Sequence, residues 1–168
     1  MRIQIMGYSG SGKSTLAIKL ANHFGLKCLH LDNVQFYGDW QERDKQEQQN
    51  IVKRFLDEHE DWVIDGNYLD IAPERFSLSD ITIFLGYNRF YCYRMCLARY
   101  HKNRGQSRLS CPCIEKFDSE FRQWLLIKGR TKARRIKLFE RFNQCPGTKY
   151  YFKNVRELRK FLLSLEIK

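Results

Sequence analysis

Residues 7–15 read GYSGSGKST, with Gly7, Gly12, Lys13 and Ser14 at the fixed positions of G-x-x-x-x-G-K-[ST]. These residue types suit the gripping of a polyphosphate. Backbone N–H groups must converge on phosphate oxygens, so the chain has to wrap tightly. Glycines at 7, 10 and 12 permit the backbone angles and keep side chains out of the way. A helix starting near Lys13 aims its N-terminus at the anion. Lys13 reaches the β- and γ-phosphates as a mobile charge, and Ser14 offers a hydroxyl to Mg²⁺. Gly7, Ser9, Gly10, Ser11, Gly12, Lys13, Ser14 and Thr15 are therefore the expected contacts of ATP or GTP, with ATP the expected donor. A flexible Gly/Ser turn would leave unexplained the apolar run before the motif and the helical pattern after it.

Two carboxylates and a set of arginines would complete the chemistry. In WVIDGN, residues 62–67, three apolar residues deliver Asp65 to the end of a strand, where a carboxylate can hold hydrated Mg²⁺. An ordinary turn-starting aspartate is the competing explanation. Leu29-His30-Leu31-Asp32 puts a second carboxylate at a strand end, the side on which open α/β sheets bind ligands. Asp32 could there take a proton from an attacking hydroxyl or orient an acceptor; a helix or turn cap is the equal alternative. His30 is expected to pack in the sheet.

Phosphoryl transfer also needs positive charge on the moving group. Residues 99–141 carry thirteen Lys and Arg against four Asp and Glu, a net of +9 within a chain total of +11. Such a block seeks phosphates, on nucleotides or on nucleic acid. Its candidate phosphate ligands include Arg99, Arg104, Arg108, Arg130, Arg134 and Arg135, with Arg94 just ahead of it. Tyr87, Phe90, Tyr91 and Tyr93 interleave with basic residues, as in single-strand binders. The last three fall on a predicted amphipathic helix, so core packing is expected for them.

Strand and helix signals alternate along the chain. Residues 2–6, 27–31, 62–65, 81–85 and 149–152 read as strands; 14–24, 41–60, 89–103 and 155–165 read as helical. Asp118 is expected to cap one long helix reaching about Phe142, and residues 105–117 read as irregular. Strands separated by helices argue for a parallel sheet covered on both faces, in one domain over residues 1–168.

A hydrophobic content of 43% with 29% charged residues is globular, and no apolar run reaches membrane-spanning length. The opening MRIQIMGYSG lacks a signal-peptide pattern, so the cytoplasm is the expected compartment. The six cysteines form no CxxC pair and read as free thiols. Cys111-Pro112-Cys113 lacks the second pair that a four-ligand zinc site would show.

The chain resembles the small P-loop kinases related to adenylate kinase, and more closely the bacterial topology modulation proteins. The likeness runs through GYSGSGKST, CLHLDNVQF, WVIDGNY, DITIFLGYNRF, the arginines up to Arg108, and CPCIEKFDSEF. It implies an α/β, three-layer P-loop NTPase fold, with a five-stranded parallel sheet of order 2-3-1-4-5 and a helical lid over residues 104–135. It implies that Asp65 lies beside the phosphate loop, that Arg99 and Arg108 are lid arginines, and that Asn154 and Val155 border the base. The expected activity is transfer of the γ-phosphate of ATP to a small acceptor, a nucleotide or nucleoside among the candidates. Lys13, Asp32, Arg99, Arg108 and Arg134 are the expected catalytic residues, with Ser14 and Asp65 on Mg²⁺. Gly66-Asn67-Tyr68 stands where adenylate kinases carry a glycine-proline-arginine stretch, which argues against AMP as acceptor. The rival expectation is an ATP-regulated DNA- or RNA-binding protein that influences DNA topology.

Overall fold

The computed structural model describes residues 1–167. Its elements follow in the order β1 (Arg2–Gly7), α1 (Lys13–Phe24), β2 (Lys27–His30), α2 (Leu31–Gln35), α3 (Lys45–Glu58), β3 (Trp62–Asp65), α4 (Glu74–Leu78), β4 (Ile81–Leu85) and α5 (Arg89–Lys102). Then come α6 (Ser119–Leu126), a single 3-10 turn (Lys128–Arg130), α7 (Lys132–Gln144), β5 (Thr148–Phe152) and α8 (Val155–Ser164). The five strands form one parallel sheet of order β2-β3-β1-β4-β5. The expected fold class and strand order are therefore those observed.

Central strands of such a sheet are buried on both faces and read as apolar runs. All four residues of β3 are buried, and so are four of the five in β4. Helices cover both faces through apolar stripes. In α1, Leu16, Ala17, Leu20 and Ala21 point inward. Gly25, with φ of 67°, ends that helix by returning its N–H to the Ala21 carbonyl. One core cluster joins α1, α7 and α8 to β1 and β4; a second packs α2 and α3 against Trp62 and Ile64.

A buried polar bracket crosses this core. Gln4 lies in mid-β1 and donates from Nε2 to the carbonyls of Ile5 and Gly66. Its Oε1 accepts from Nε of Arg75, which is fully buried. The remaining donors of Arg75 go to the carbonyls of Asn67, Tyr68, Ile71 and Ala72. One guanidinium thus fixes the loop after β3, and its bonding partners are all neutral.

Three local expectations change. The long helix from Asp118 is two helices. Asp118 does cap α6, accepting from Phe121 N–H at 2.8 Å. The chain then breaks at the 3-10 turn, where Gly129 packs so close that a Cβ would come 2.8 Å from the Trp124 carbonyl. Thr131 starts α7 afresh through Arg134 N–H. The break lets Arg130 swing its guanidinium over the Tyr8 ring, 3.8 Å from its centroid. β2 ends at His30, so Asp32 occupies the first turn of the short α2. Phe90 was expected in the core but is 66% exposed; Tyr87, Cys92 and Cys96 hold the inward positions. Among the described residues no helix is long and apolar enough to cross a membrane.

Candidate active site

The loop between β1 and α1 is shaped by backbone conformations that only glycine adopts freely. Gly10 has φ of 79° and Gly12 has φ of 90°. A Cβ at Gly10 would meet the Cys92 carbonyl at 2.4 Å and Cys96 Sγ at 2.6 Å, so α5 supports the loop from beneath. Asn67 brackets the start of the loop, accepting from Gly7 N–H at 3.0 Å and donating to its carbonyl at 2.9 Å. No side chain caps the start of α1, which leaves its first N–H groups available to an anion.

Lys13 Nζ folds back to the Tyr8 carbonyl at 3.0 Å. Burial pulls its ammonium below the ordinary lysine range, opposed by the nearby carboxylates of Asp65 and Asp32. Ser14 Oγ donates to Asp65 Oδ2 at 2.8 Å. A hydroxyl and a carboxylate side by side at the end of the phosphate loop are hard oxygen donors of the kind Mg²⁺ takes with phosphate oxygens and water. Among the described residues no group of three or more His, Cys, Asp and Glu could hold a metal, so an all-protein cage is not formed. Ser14 and Asp65 are two such donors, with room beside them in the cavity for phosphate oxygens and water.

The other oxygen of Asp65 bonds Nδ1 of His30, its neighbour in the β2–β3 register. Burial opposes the imidazolium, but the Asp65 carboxylate outweighs it and raises His30 to about 10. His30 thus packs in the sheet as expected and also anchors the Asp65 carboxylate, a role its sequence neighbours did not disclose. Asp32 is held by Tyr68, whose hydroxyl donates to Oδ1 at 2.7 Å. Burial, then the Asp32 charge, pushes the Tyr68 phenol far above its ordinary range, so it stays a donor.

An open cavity of about 1320 Å³ joins these groups. It exceeds the roughly 300–1,000 Å³ of single-ligand pockets, leaving room for a nucleotide and a second molecule. Its lining includes Ser9, Gly10, Gly12, Lys13, Ser14, Thr15, Asp32 and Asp65, together with Arg99, Arg108 and Arg134. Phe36, Trp40 and Tyr68 add aromatic rings to its lining. Ser11 is buried beneath the loop, with Oγ unpaired among the described residues. Asn154 and Val155 are not brought to this cavity: Asn154 caps α8, accepting from the N–H groups of Arg156 and Glu157.

The arginines are engaged in ways that spacing did not reveal. Arg99 Nε lies 3.1 Å from each oxygen of the buried Glu115, and Arg108 Nε pairs with Glu115 Oε1. Arg134 lies over the Trp124 ring, 4.4 Å from its centroid. The segment carrying Arg108 and Glu115 is tied to the β2–α3 connection. Asn33 donates to the Leu109 carbonyl at 2.8 Å, and Trp40 Nε1 donates to the Ile114 carbonyl at 3.0 Å. A signal for Glu115 existed in the sequence, as one of only four acids among thirteen bases in residues 99–141.

Comparison with solved structures identifies the architecture. Shikimate kinase from Bacteroides thetaiotaomicron superposes with a TM-score of 0.59 at 17% identity, over 99% of this chain and 99% of that one. The fold is the one that kinase adopts. Shikimate kinase from Acinetobacter baumannii, in complex with shikimate, gives a TM-score of 0.57 at 16% identity, over 99% of this chain and 95% of that one. At such identities the likeness is one of fold. No protein-family model and no curated protein matches the sequence.

Proposed function

We propose that the protein is an ATP-dependent phosphotransferase that moves the γ-phosphate to a hydroxyl of a small acceptor. The observation that carries this reading is that Asp32 lines one cavity with Lys13, Ser14 and Asp65, close enough for its carboxylate to act on the Lys13 ammonium. Tyr68 occupies Oδ1 of Asp32, which leaves Oδ2 for an acceptor hydroxyl. The aromatic rings of Phe36, Trp40 and Tyr68 favour an acceptor with a flat or apolar body, a nucleoside among the candidates.

The loop amides and Lys13 hold the phosphates, Lys13 leaving the Tyr8 carbonyl to do so. Ser14 and Asp65 would hold Mg²⁺, which would supply positive charge to the phosphates when bound. Asp32 accepts the hydroxyl proton as the acceptor attacks in line. Arg99, Arg108 and Arg134 supply cations as residues 104–135 close and exclude water. The base would lie outside this cavity, beside Asn154 and Val155, as the family resemblance implies. A cytoplasmic location and membership of the topology modulation group belong to the same proposal; they are supported by the motif order along the chain.

The test is a phosphoryl-transfer screen with ATP labelled in the γ position, across nucleosides, nucleotides, shikimate and simple alcohols. Labelled product formed in step with ADP is the expected result. Binding of Mg·ATP without transfer to any acceptor would overturn the enzymatic reading.

A further inference from the structure

We propose that Glu115 is the positioning residue of a two-arginine phosphate clamp, holding Arg99 and Arg108 by their Nε edges so that their outer nitrogens face the transferring phosphoryl group. The inference rests on the phosphotransferase reading and assigns the part of it that spacing could not.

Glu115 is only 7% exposed although it lies in the most basic stretch of the chain. A buried carboxylate persists when it is paired, and this one has two partners. A bidentate pair would use two nitrogens of each guanidinium. Here both contacts run through Nε, a hydrogen bond from Arg99 to Oε2 and an ion pair between Arg108 and Oε1 that is not a hydrogen bond. Both Nη groups of Arg99 remain unbonded among the described residues, and Arg108 commits Nη1 to Ser110 Oγ at 3.0 Å. A guanidinium is a rigid planar fork, so fixing its Nε edge fixes where its other donors point. Arg99, Arg108 and Ser110 line the cavity that also holds Lys13 and Ser14.

The two arms come from different elements. Arg99 belongs to the last turn of α5, whereas Arg108 lies in the following irregular segment. Arg108 and Cys111 exchange backbone hydrogen bonds, both at 3.0 Å, and Glu115 N–H donates to the Gln106 carbonyl at 3.2 Å. The carboxylate is thus anchored through its own backbone and sets the spacing of the arms. It also offsets their mutual repulsion, leaving the group with one net positive charge toward the cavity.

The experiment compares Mg·ADP with Mg·ADP plus aluminium fluoride, which stands in for the transferring phosphoryl group, by titration calorimetry. Wild type, Glu115→Gln, Glu115→Asp and Arg99→Lys are titrated as full-length protein. In wild type the fluoride complex is expected to bind at least about tenfold tighter than Mg·ADP. Glu115→Gln should cut that gain to about threefold or less while Mg·ADP affinity stays within about threefold. Glu115→Asp should keep part of the gain. Arg99→Lys retains the charge but has no Nε edge, so it should reproduce the loss, and it decides the matter if Glu115→Gln does not fold. An undiminished or larger gain in Glu115→Gln overturns the proposal, the larger gain marking Glu115 as a competitor of phosphate. Equal weakening of both ligands also overturns it, as does a wild type without any gain. Failure of wild type to bind Mg·ADP at all would be a separate result, against the nucleotide reading itself.

Discussion

His30 stands opposite Asp65 in the parallel β2–β3 register, and its Nδ1 bonds one carboxylate oxygen while Ser14 Oγ takes the other. The arrangement predicts a stability that depends on pH in a definite direction. Burial disfavours the imidazolium, Asp65 overrides it, and His30 is raised to about 10 from its ordinary 6.5. Between those values the folded chain keeps a proton that the unfolded chain releases. The contribution of the pair is complete below about pH 6.5 and is lost as pH rises toward 10, at up to about 1.4 kcal/mol per pH unit. His30→Gln should flatten that slope. Urea denaturation of metal-free protein at about pH 6, 8 and 9.5 measures it, and parallel slopes in the two proteins would refute the assignment.

Asp32 and Tyr68 should separate chemistry from binding. Asp32→Asn keeps the shape of the site but removes the proton acceptor, so the rate should fall about a hundredfold or more. Its KM for Mg·ATP should stay within about threefold, because the Asp32 carboxylate is hydrogen-bonded by Tyr68 and not by the loop between β1 and α1. Tyr68→Phe frees Oδ1 of Asp32 and should lower the rate by a smaller factor, about tenfold. Steady-state kinetics with the acceptor found in the transfer screen would check both. A rise in KM alone would show that Asp32 only binds.

Gly10 and Gly12 share a left-handed backbone but differ in surroundings, which makes them an internal control. At Gly12 no atom lies within 4 Å of an added Cβ, so Gly12→Ala carries backbone strain alone, about 1 kcal/mol. At Gly10 the Cβ would also meet the Cys92 carbonyl at 2.4 Å, and backbone of α5 cannot retreat without moving the helix. Gly10→Ala should therefore lose a further 1–3 kcal/mol or so and weaken Mg·ATP binding more than tenfold as the loop shifts. Denaturant titration and calorimetry on the two variants give the comparison. Equal losses would mean that α5 does not support the loop.

Part of the basic block is engaged within the protein, although nine of its thirteen bases, Arg134 among them, stay exposed. Arg99 and Arg108 pair with Glu115, Arg130 lies over Tyr8 and donates to the Tyr87 carbonyl at 2.9 Å, and Arg134 lies over Trp124. Duplex DNA should accordingly bind no tighter than the roughly 10⁻⁶ M limit of non-specific contacts at physiological salt. A salt titration by fluorescence anisotropy tests this. Tighter binding with a steep salt slope would favour the nucleic-acid reading.

What the sequence disclosed follows a physical divide. β3 and β4 were legible to the residue, because strands buried on both faces must be continuous apolar runs. The glycine-rich turn between β1 and α1 was legible because its backbone demands are local, set by glycines within residues 7–15. Groups set by register were not. His30 and Asp65 are 35 residues apart, Asp32 and Tyr68 are 36 apart, and Arg99 and Glu115 are 16 apart. Helices α2 and α4 have five residues each, too short to show a helical period. The long helix expected from Asp118 is interrupted at residues 128–130, where Gly129 packs against Trp124 and Arg130 reaches over Tyr8.

Arg75 yields a prediction about what such long-range packing contributes. It has no exposed surface, it donates to Gln4 and to four backbone carbonyls, and burial together with Arg141 holds its guanidinium below the ordinary arginine range. Arg75→Met would fill much of the volume but leave those acceptors unpaired inside the protein, at about 3 kcal/mol or more. Asn67 and Tyr68 are among the residues released, and they bracket Gly7 and hold Asp32. Loss of stability should therefore come with loss of turnover even at temperatures where the variant stays folded. Denaturation curves paired with transfer assays below the melting transition would show it. A destabilised variant with wild-type turnover would mean that the loop after β3 keeps its shape without the guanidinium.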